Sequence, residues 1–320
     1  MRAVLLAGGV GGAKLAEGLA EHLGPDLTIV VNTGDDLERH GLAIWPDFDT
    51  VTYTLADLDD AARGWGLRDE TWTVMDRLEA LGASTWFRLG DRDIATHLWR
   101  TERLAAGTRP TVVARELTAS LGIAPTVLPM ADEPVRTEVR TDDGWLAFQD
   151  YFVRRHQEPA VHEVRFVGVE AARLTPEVTA AMATADVVAI APSNPVVSIG
   201  PILAVPGFED LLAAARRDGV PVVAMSGIVG GRALKGPADR MLASLGESVS
   251  AVGVAARYAG SIDGFVMDAV DVALRPEVES LGLAALVTDT IMGDDPARIR
   301  LAGEVLGFAA GLRGGRATGR

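Results

Sequence analysis

Two acidic turns carry the plainest chemistry in the chain. Asn32-Thr33-Gly34-Asp35-Asp36 leaves one apolar run, and Pro46-Asp47-Phe48-Asp49-Thr50 follows shortly after it. Asp35 and Asp49, brought to one place, are hard oxygen donors of the kind that hold Mg2+ through few carboxylates, with water and substrate phosphates completing the shell. The competing reading makes Asp36 and Asp49 helix caps, with Asp49 starting a helix at residue 50.

Ahead of these turns stands a glycine run, Gly8-Gly9-Val10-Gly11-Gly12-Ala13-Lys14. Backbone N–H groups at a helix start, with no side chains in the way, suit a phosphate. The run fails two familiar patterns. Lys14 replaces the last glycine of the dinucleotide fingerprint, and Ala13-Lys14-Leu15 lacks the Gly-Lys-Ser/Thr of the Walker loop. Asn32 also ends the second apolar run where an NAD-binding strand carries an acid. A glycine turn needed only for close packing is the alternative. Lys14 and Lys235 are the only two lysines among 30 basic residues, and each sits beside a glycine cluster, GGVGGAKL and VGGRALKGP. A compact ammonium suits such places better than a planar guanidinium.

Two further segments offer polar groups. In WFRLGDRDIATH (residues 86–97), Arg88 stands between an aromatic pair and an acidic turn, where a guanidinium can hold a polar ring. Its bland reading is an Asp-capped helix with a local Arg–Asp network, and His97 alone reads as a hydrogen-bonded core residue. In APSNPVVSIGP (residues 191–201), three prolines stiffen a loop that offers Ser193, Asn194, Ser198 and Gly200 to a nucleotide or phosphate. A simple crossover turn is the alternative. Five histidines without an HxxxH pair argue against zinc. The absence of a G-x-S-x-G elbow argues against a serine hydrolase.

These segments must be held by alternating strands and helices. Continuous apolar runs predict strands at residues 2–7, Leu27–Val31, Val187–Ile190, 220–225, 264–267 and 284–287. Helical spacing lies between them at residues 14–22, Pro176–Thr184, Phe208–Arg217, 237–245 and 296–312. The expectation is a Rossmann-like three-layer α/β/α fold with a mainly parallel sheet. Its core spans residues 1–49 and 169–312. Residues 50–168 read as an inserted helical and hairpin cap over the carboxyl edge of the sheet. Residues 50–108 hold four of the six tryptophans, and residues 137–153 alternate like a hairpin turning at Asp142-Asp143-Gly144. Residues 313–320 read as a frayed tail.

Composition narrows the function class. Forty-four acidic residues against 30 basic ones give a net charge of −14, which argues against nucleic acid. No cysteine is present, which excludes disulfides, thiolate metal sites and cysteine catalysis. Without a signal-like start or a long apolar run, the expectation is a soluble, cytoplasmic protein.

Taken together, GGVGGAKL, VNTGDD, PDFDT, WFRLGDRDIATH, LPMADEPVRT, FQDYFV, APSNPVVSIGPIL and GGRALKGPADRML resemble the 2-phospho-L-lactate transferase family of coenzyme F420 biosynthesis. The resemblance implies transfer of a phospholactyl or phosphoenolpyruvyl group from a guanosine diphosphate-linked donor. The acceptor would be 7,8-didemethyl-8-hydroxy-5-deazariboflavin (FO), with GMP leaving. It also implies Mg2+, a homodimer, metal and FO contacts at Asp35 and Asp49, and a further FO contact at Arg88. The nearest rivals are a nicotinamide-dependent oxidoreductase and a non-catalytic nucleotide-binding regulator.

Overall fold

The computed structural model describes residues 1–60 and 62–317. Strand β1 (Ala3–Ala7) is buried along its whole length and pairs in parallel with β2 (Leu27–Val31) on one side and Val187–Ile190 on the other. The sheet has seven strands. From one edge they run Ala284–Thr288, Gly264–Asp268, Val222–Met225, Val187–Ile190, β1, β2 and Thr126–Pro129, with every pairing parallel. The chain reverses its direction of travel across the sheet between β1 and Val187–Ile190. Such a switch point opens a crevice at the carboxyl ends of the strands, where ligands of open α/β sheets bind.

Continuous apolar strands need cover on both faces. One face packs against helix α1 (Gly9–Leu23) through Leu15 and Leu19, helix α2 (Pro46–Leu55) through Phe48 and Val51, and the last helix, Asp295–Ala317, through Leu301 and Val305. The other carries Val178 and Met182 of Pro176–Thr184, Phe208 and Leu212 of Phe208–Arg217, and Val254 and Tyr258 of Ala251–Tyr258. The expected three-layer fold holds.

The stretch 50–168 is more divided than a single inserted cap. Helix α3 (Thr73–Ala80) and helix α4 (Asp91–Ala105) do lie outside the sheet. Helix α5 (Pro110–Ser120) and strand Thr126–Pro129 return to the core, the strand forming the sheet edge beside β2. That strand is four residues long and ends in proline, which a sheet tolerates at an edge, so its apolar signal is weak. The expected hairpin turns where its Asp-Asp-Gly predicts, between Arg136–Thr141 and Gly144–Ala147. Its second arm stops early, Asp150–Arg154 winds into a π-helical turn, and Glu163–Val167 adds a third strand. Two shorter differences affect the ligand crevice. The small hairpin Leu37–Arg39/Leu42–Ile44 follows the first acidic turn, and α2 starts at Pro46 instead of Thr50, because proline is pre-organised for the first helical position.

The last helix continues to Ala317, so the tail expected from residue 313 is helical that far, and residues 318–320 lie outside the described ones. No helix among the described residues is long and apolar enough to cross a membrane.

Candidate functional site

A cavity of about 900 Å³ opens over the switch point. Gly8, Gly9, Gly11, Lys14, Asp35, Asp49, Arg88, Ser193, Asn194 and Ser198 all line it, so most of the residues singled out by sequence converge there. Gly12 and Gly200 do not. A Cβ on Gly12 would lie 2.9 Å from Ser193 Oγ, and one on Gly200 3.1 Å from the Phe166 ring. Their service is close packing. Gly8 and Gly11 combine both roles: they face the cavity, yet a Cβ would meet Asp47 Oδ2 or the Pro192 carbonyl at 2.5 Å.

The glycine run is the first turn of α1 itself, beginning at Gly9 with φ +61°. The N–H groups of that turn have no acceptor within the helix. Gly9 N donates to Asp47 Oδ1 at 2.8 Å, and Gly8 N donates to Ser193 Oγ at 3.1 Å. Ser193 Oγ in turn donates to the Gly8 carbonyl at 2.7 Å. Asn194 Oδ1 accepts from Val196 N at 2.9 Å. The proline-rich loop is therefore fastened to the glycine turn, and its polar groups first hold the wall together.

Asp35 and Asp49 are not on exposed loops, as their turn-like sequence suggests; each is 5% exposed. Asp35 has a buried Oδ1 without a hydrogen-bond partner. Burial and the neighbouring Asp47 carboxylate push its carboxyl well above the ordinary range. Burial likewise raises Asp47, to about 6, against hydrogen bonds from Asn32 Nδ2 at 2.8 Å and Gly9 N. Among the described residues no basic side chain offsets either of these two desolvated carboxylates. Asp36 is buried too, but it lines a separate cavity of about 370 Å³ beyond the hairpin at Leu37.

Asp49 is differently placed. Both of its oxygens accept from the guanidinium of Arg100, which is fully buried and lies 4.4 Å over the Trp45 ring. Arg100 Nη1 also donates to His97 Nδ1 at 3.2 Å, so the ring proton of a neutral His97 sits on Nε2, 3.3 Å from Asp93 Oδ1. Tyr53 OH donates to Asp93 Oδ1 at 2.6 Å. Burial alone would raise Asp93, yet His97 and the Tyr53 hydroxyl hold it below its ordinary value. Ligand atoms of Asp49, Asp93 and His97 lie within 4.8 Å of one another, the spacing of a metal centre. Arg100 pairs with Asp49 of that cluster, and a second cation there would meet its charge. Asp35 and Asp47 have no such basic partner among the described residues.

The sequence reading passed over Asn32, Asp47, Tyr53, Asp93 and Arg100 as site members. It placed His97 in the core, where it is, at 1% exposure, but the ring also borders the cavity. A signal was available: Asp93, His97 and Arg100 recur at i, i+4 and i+7 on one face of α4. Asp49 and Tyr53 stand four apart on α2.

The mouth is aromatic and basic. Arg88 donates to Asp76 Oδ1 at 2.8 Å and lies 5.2 Å over Trp72. Trp65, Trp86 and Phe87 line the same rim. On the far side Lys14 Nζ donates to the Met292 carbonyl at 2.8 Å, and burial, helped by Arg298 and Lys235, lowers its pKa.

The chain matches the family described as 2-phospho-L-lactate transferase CofD over residues 3–281. It is 42% identical to a phosphoenolpyruvate transferase of Kitasatospora aureofaciens, over 98% of this chain and 100% of that one. It is 39% identical to a 2-phospho-L-lactate transferase of Methanosarcina barkeri, over 95% of this chain and 97% of the relative. A UPF0052 family protein from Bacillus halodurans shares the fold, with a TM-score of 0.60 at 13% identity over 95% of this chain and 98% of that one. The motifs that build the cavity thus fall within the matched span, and the chain belongs to the 2-phospho-L-lactate transferase CofD family.

Proposed function

We propose that this chain transfers a phospholactyl or phosphoenolpyruvyl group from a guanosine diphosphate-linked donor to a hydroxyl of FO, releasing GMP, with Mg2+ as its metal. The observation that carries the reading is the division of one cavity into an acidic floor in which Asp35 keeps a buried unpartnered oxygen, a helix N-terminus with a lysine, and an aromatic, basic mouth. Family membership and the names of the two relatives support the reaction class.

Asp35 and Asp47 offer the hard oxygens that fit Mg2+, and the buried unpartnered Oδ1 of Asp35 is the strongest mark of that fit. When bound, the ion neutralises phosphate charge and keeps the donor from being repelled by these acids. The amides of the first turn of α1 after Gly9, whose own N–H is taken by Asp47, face the donor phosphates together with Lys14. Arg88 and the rings around it receive the deazaflavin. Asp49, held in place by Arg100, accepts the hydroxyl proton of FO; that Asp36 lines the other cavity supports Asp49 over it for that task. The hydroxyl oxygen bonds to phosphorus as the phosphorus–oxygen bond to GMP breaks. Positioning and charge neutralisation supply most of the catalysis in such transfers. The family resemblance supports a homodimer, which sedimentation checks.

The test offers purified protein FO and both donors together, with the products weighed by mass spectrometry. A phosphodiester of FO and an equivalent of GMP are expected. Binding of guanosine nucleotide without GMP release would favour a regulator, and binding of NADH would favour an oxidoreductase.

A further inference from the structure

We propose that Lys235 closes a two-ammonium clamp with Lys14 on the diphosphate of the donor, an inference that rests on the donor reading above. Three independent observations carry it. The chain has only two lysines, far apart in sequence, and both line the same cavity. Lys14 comes from the second turn of α1, while Lys235 comes from the loop between Arg232–Ala233 and the helix Ala238–Ser244.

Second, among the described residues neither lysine has a carboxylate within ion-pair distance, although many arginines do, for example Arg63, Arg103, Arg109 and Arg165. In a chain of net charge −14, two unpaired cations at one lip repel each other and await an anion. Third, neither ammonium is committed. Lys14 Nζ spends one N–H on the Met292 carbonyl, and Lys235 Nζ hangs beside Gly64, where a Cβ would come within 2.8 Å of it. Two flexible point charges can close from opposite sides on a diphosphate that enters between them. The lysine lip then holds the diphosphate from the side opposite the acidic floor. The second phosphate is what Lys235 would read, so it would separate diphosphate from monophosphate nucleotides and let GMP leave after transfer.

The test is calorimetric binding of GDP, GMP and inorganic pyrophosphate to the full chain and to Lys235→Met, with FO binding as a check on the fold. Lys235 is exposed, so the substitution leaves the core alone. Loss of one charged contact should weaken GDP and pyrophosphate about tenfold or more, GMP less than threefold by the same arithmetic, and FO not at all. Unchanged GDP affinity, or an equal fall for GMP, would overturn the clamp. If the wild type binds pyrophosphate but not GDP, the guanosine reading fails while the pyrophosphate arm still decides the clamp. A wild type that binds neither overturns it.

Discussion

Arg100→Met strikes the buried pair that holds Asp49. The guanidinium of Arg100 is fully buried, meets both oxygens of Asp49, and stacks on Trp45. Its removal leaves the Asp49 carboxylate, 5% exposed, without its cation and close to Asp93. Breaking a buried pair from one side costs about 3–5 kcal/mol. At about 2 °C per kcal/mol for a large domain, the melting temperature should fall by about 6–10 °C. Asp49→Asn should destabilise for the mirror reason, leaving Arg100 buried and underpaired. The double variant removes both charges, so its loss should fall short of the sum of the singles by roughly 2 kcal/mol or more. Urea unfolding followed by tryptophan fluorescence gives all three values. Single variants within about 1 kcal/mol of the wild type, or strictly additive losses, would refute the buried-pair argument.

Arg88→Ala should weaken FO binding by roughly 10–150-fold and GDP binding far less; equal losses would remove Arg88 from the FO site. Lys14→Ala should raise the donor KM, with Lys14→Arg restoring it in part, and an unchanged KM would leave Lys14 a packing residue fastened to Met292. The third concerns pH in protein stripped of metal by EDTA. Asp47 titrates near 6 when folded against an ordinary 3.8, so the folded state holds the extra proton between those values. Stability should therefore be highest below that window, fall as pH rises through it, and level off above about 6. The loss is on the order of 3 kcal/mol. Magnesium should recover part of it at neutral pH, and Asp47→Asn should flatten the slope. A stability that rises from pH 4.5 to 6.5 would contradict the pairing of Asp47 with Asp35.

The sheet was largely legible because its strands are unbroken apolar runs: Leu27–Val31 and Val187–Ile190 match the structure residue for residue. Thr126–Pro129 escaped because a four-residue edge strand ending in proline carries little periodic signal. At the site, the motifs marked the right loops, but sequence could not distinguish exposure from burial. Asp35 and Asp49 look like turn residues, yet both are buried, Asp49 against Arg100 of helix α4. The partners that decide their chemistry come from distant positions, Arg100 for Asp49 and the helix-bound Asp47 for Asp35. The glycine run illustrates a choice that structure resolves both ways. Gly12 is there for packing alone, while Gly8, Gly9 and Gly11 also face the cavity.

The most direct test compares wild type with Asp35→Asn in a single turnover assay containing FO, the guanosine diphosphate-linked donor and Mg2+, read by mass of the FO phosphodiester and by GMP release. Asp35 lies buried beside another carboxylate with its Oδ1 unpartnered, so its neutral isostere should leave the melting temperature of metal-free protein unchanged or higher. Turnover should nevertheless fall about a hundredfold or more, roughly 3 kcal/mol in the barrier, and EDTA should abolish it in the wild type. A wild type that makes no phosphodiester, or an Asp35→Asn variant that turns over normally, would contradict the account.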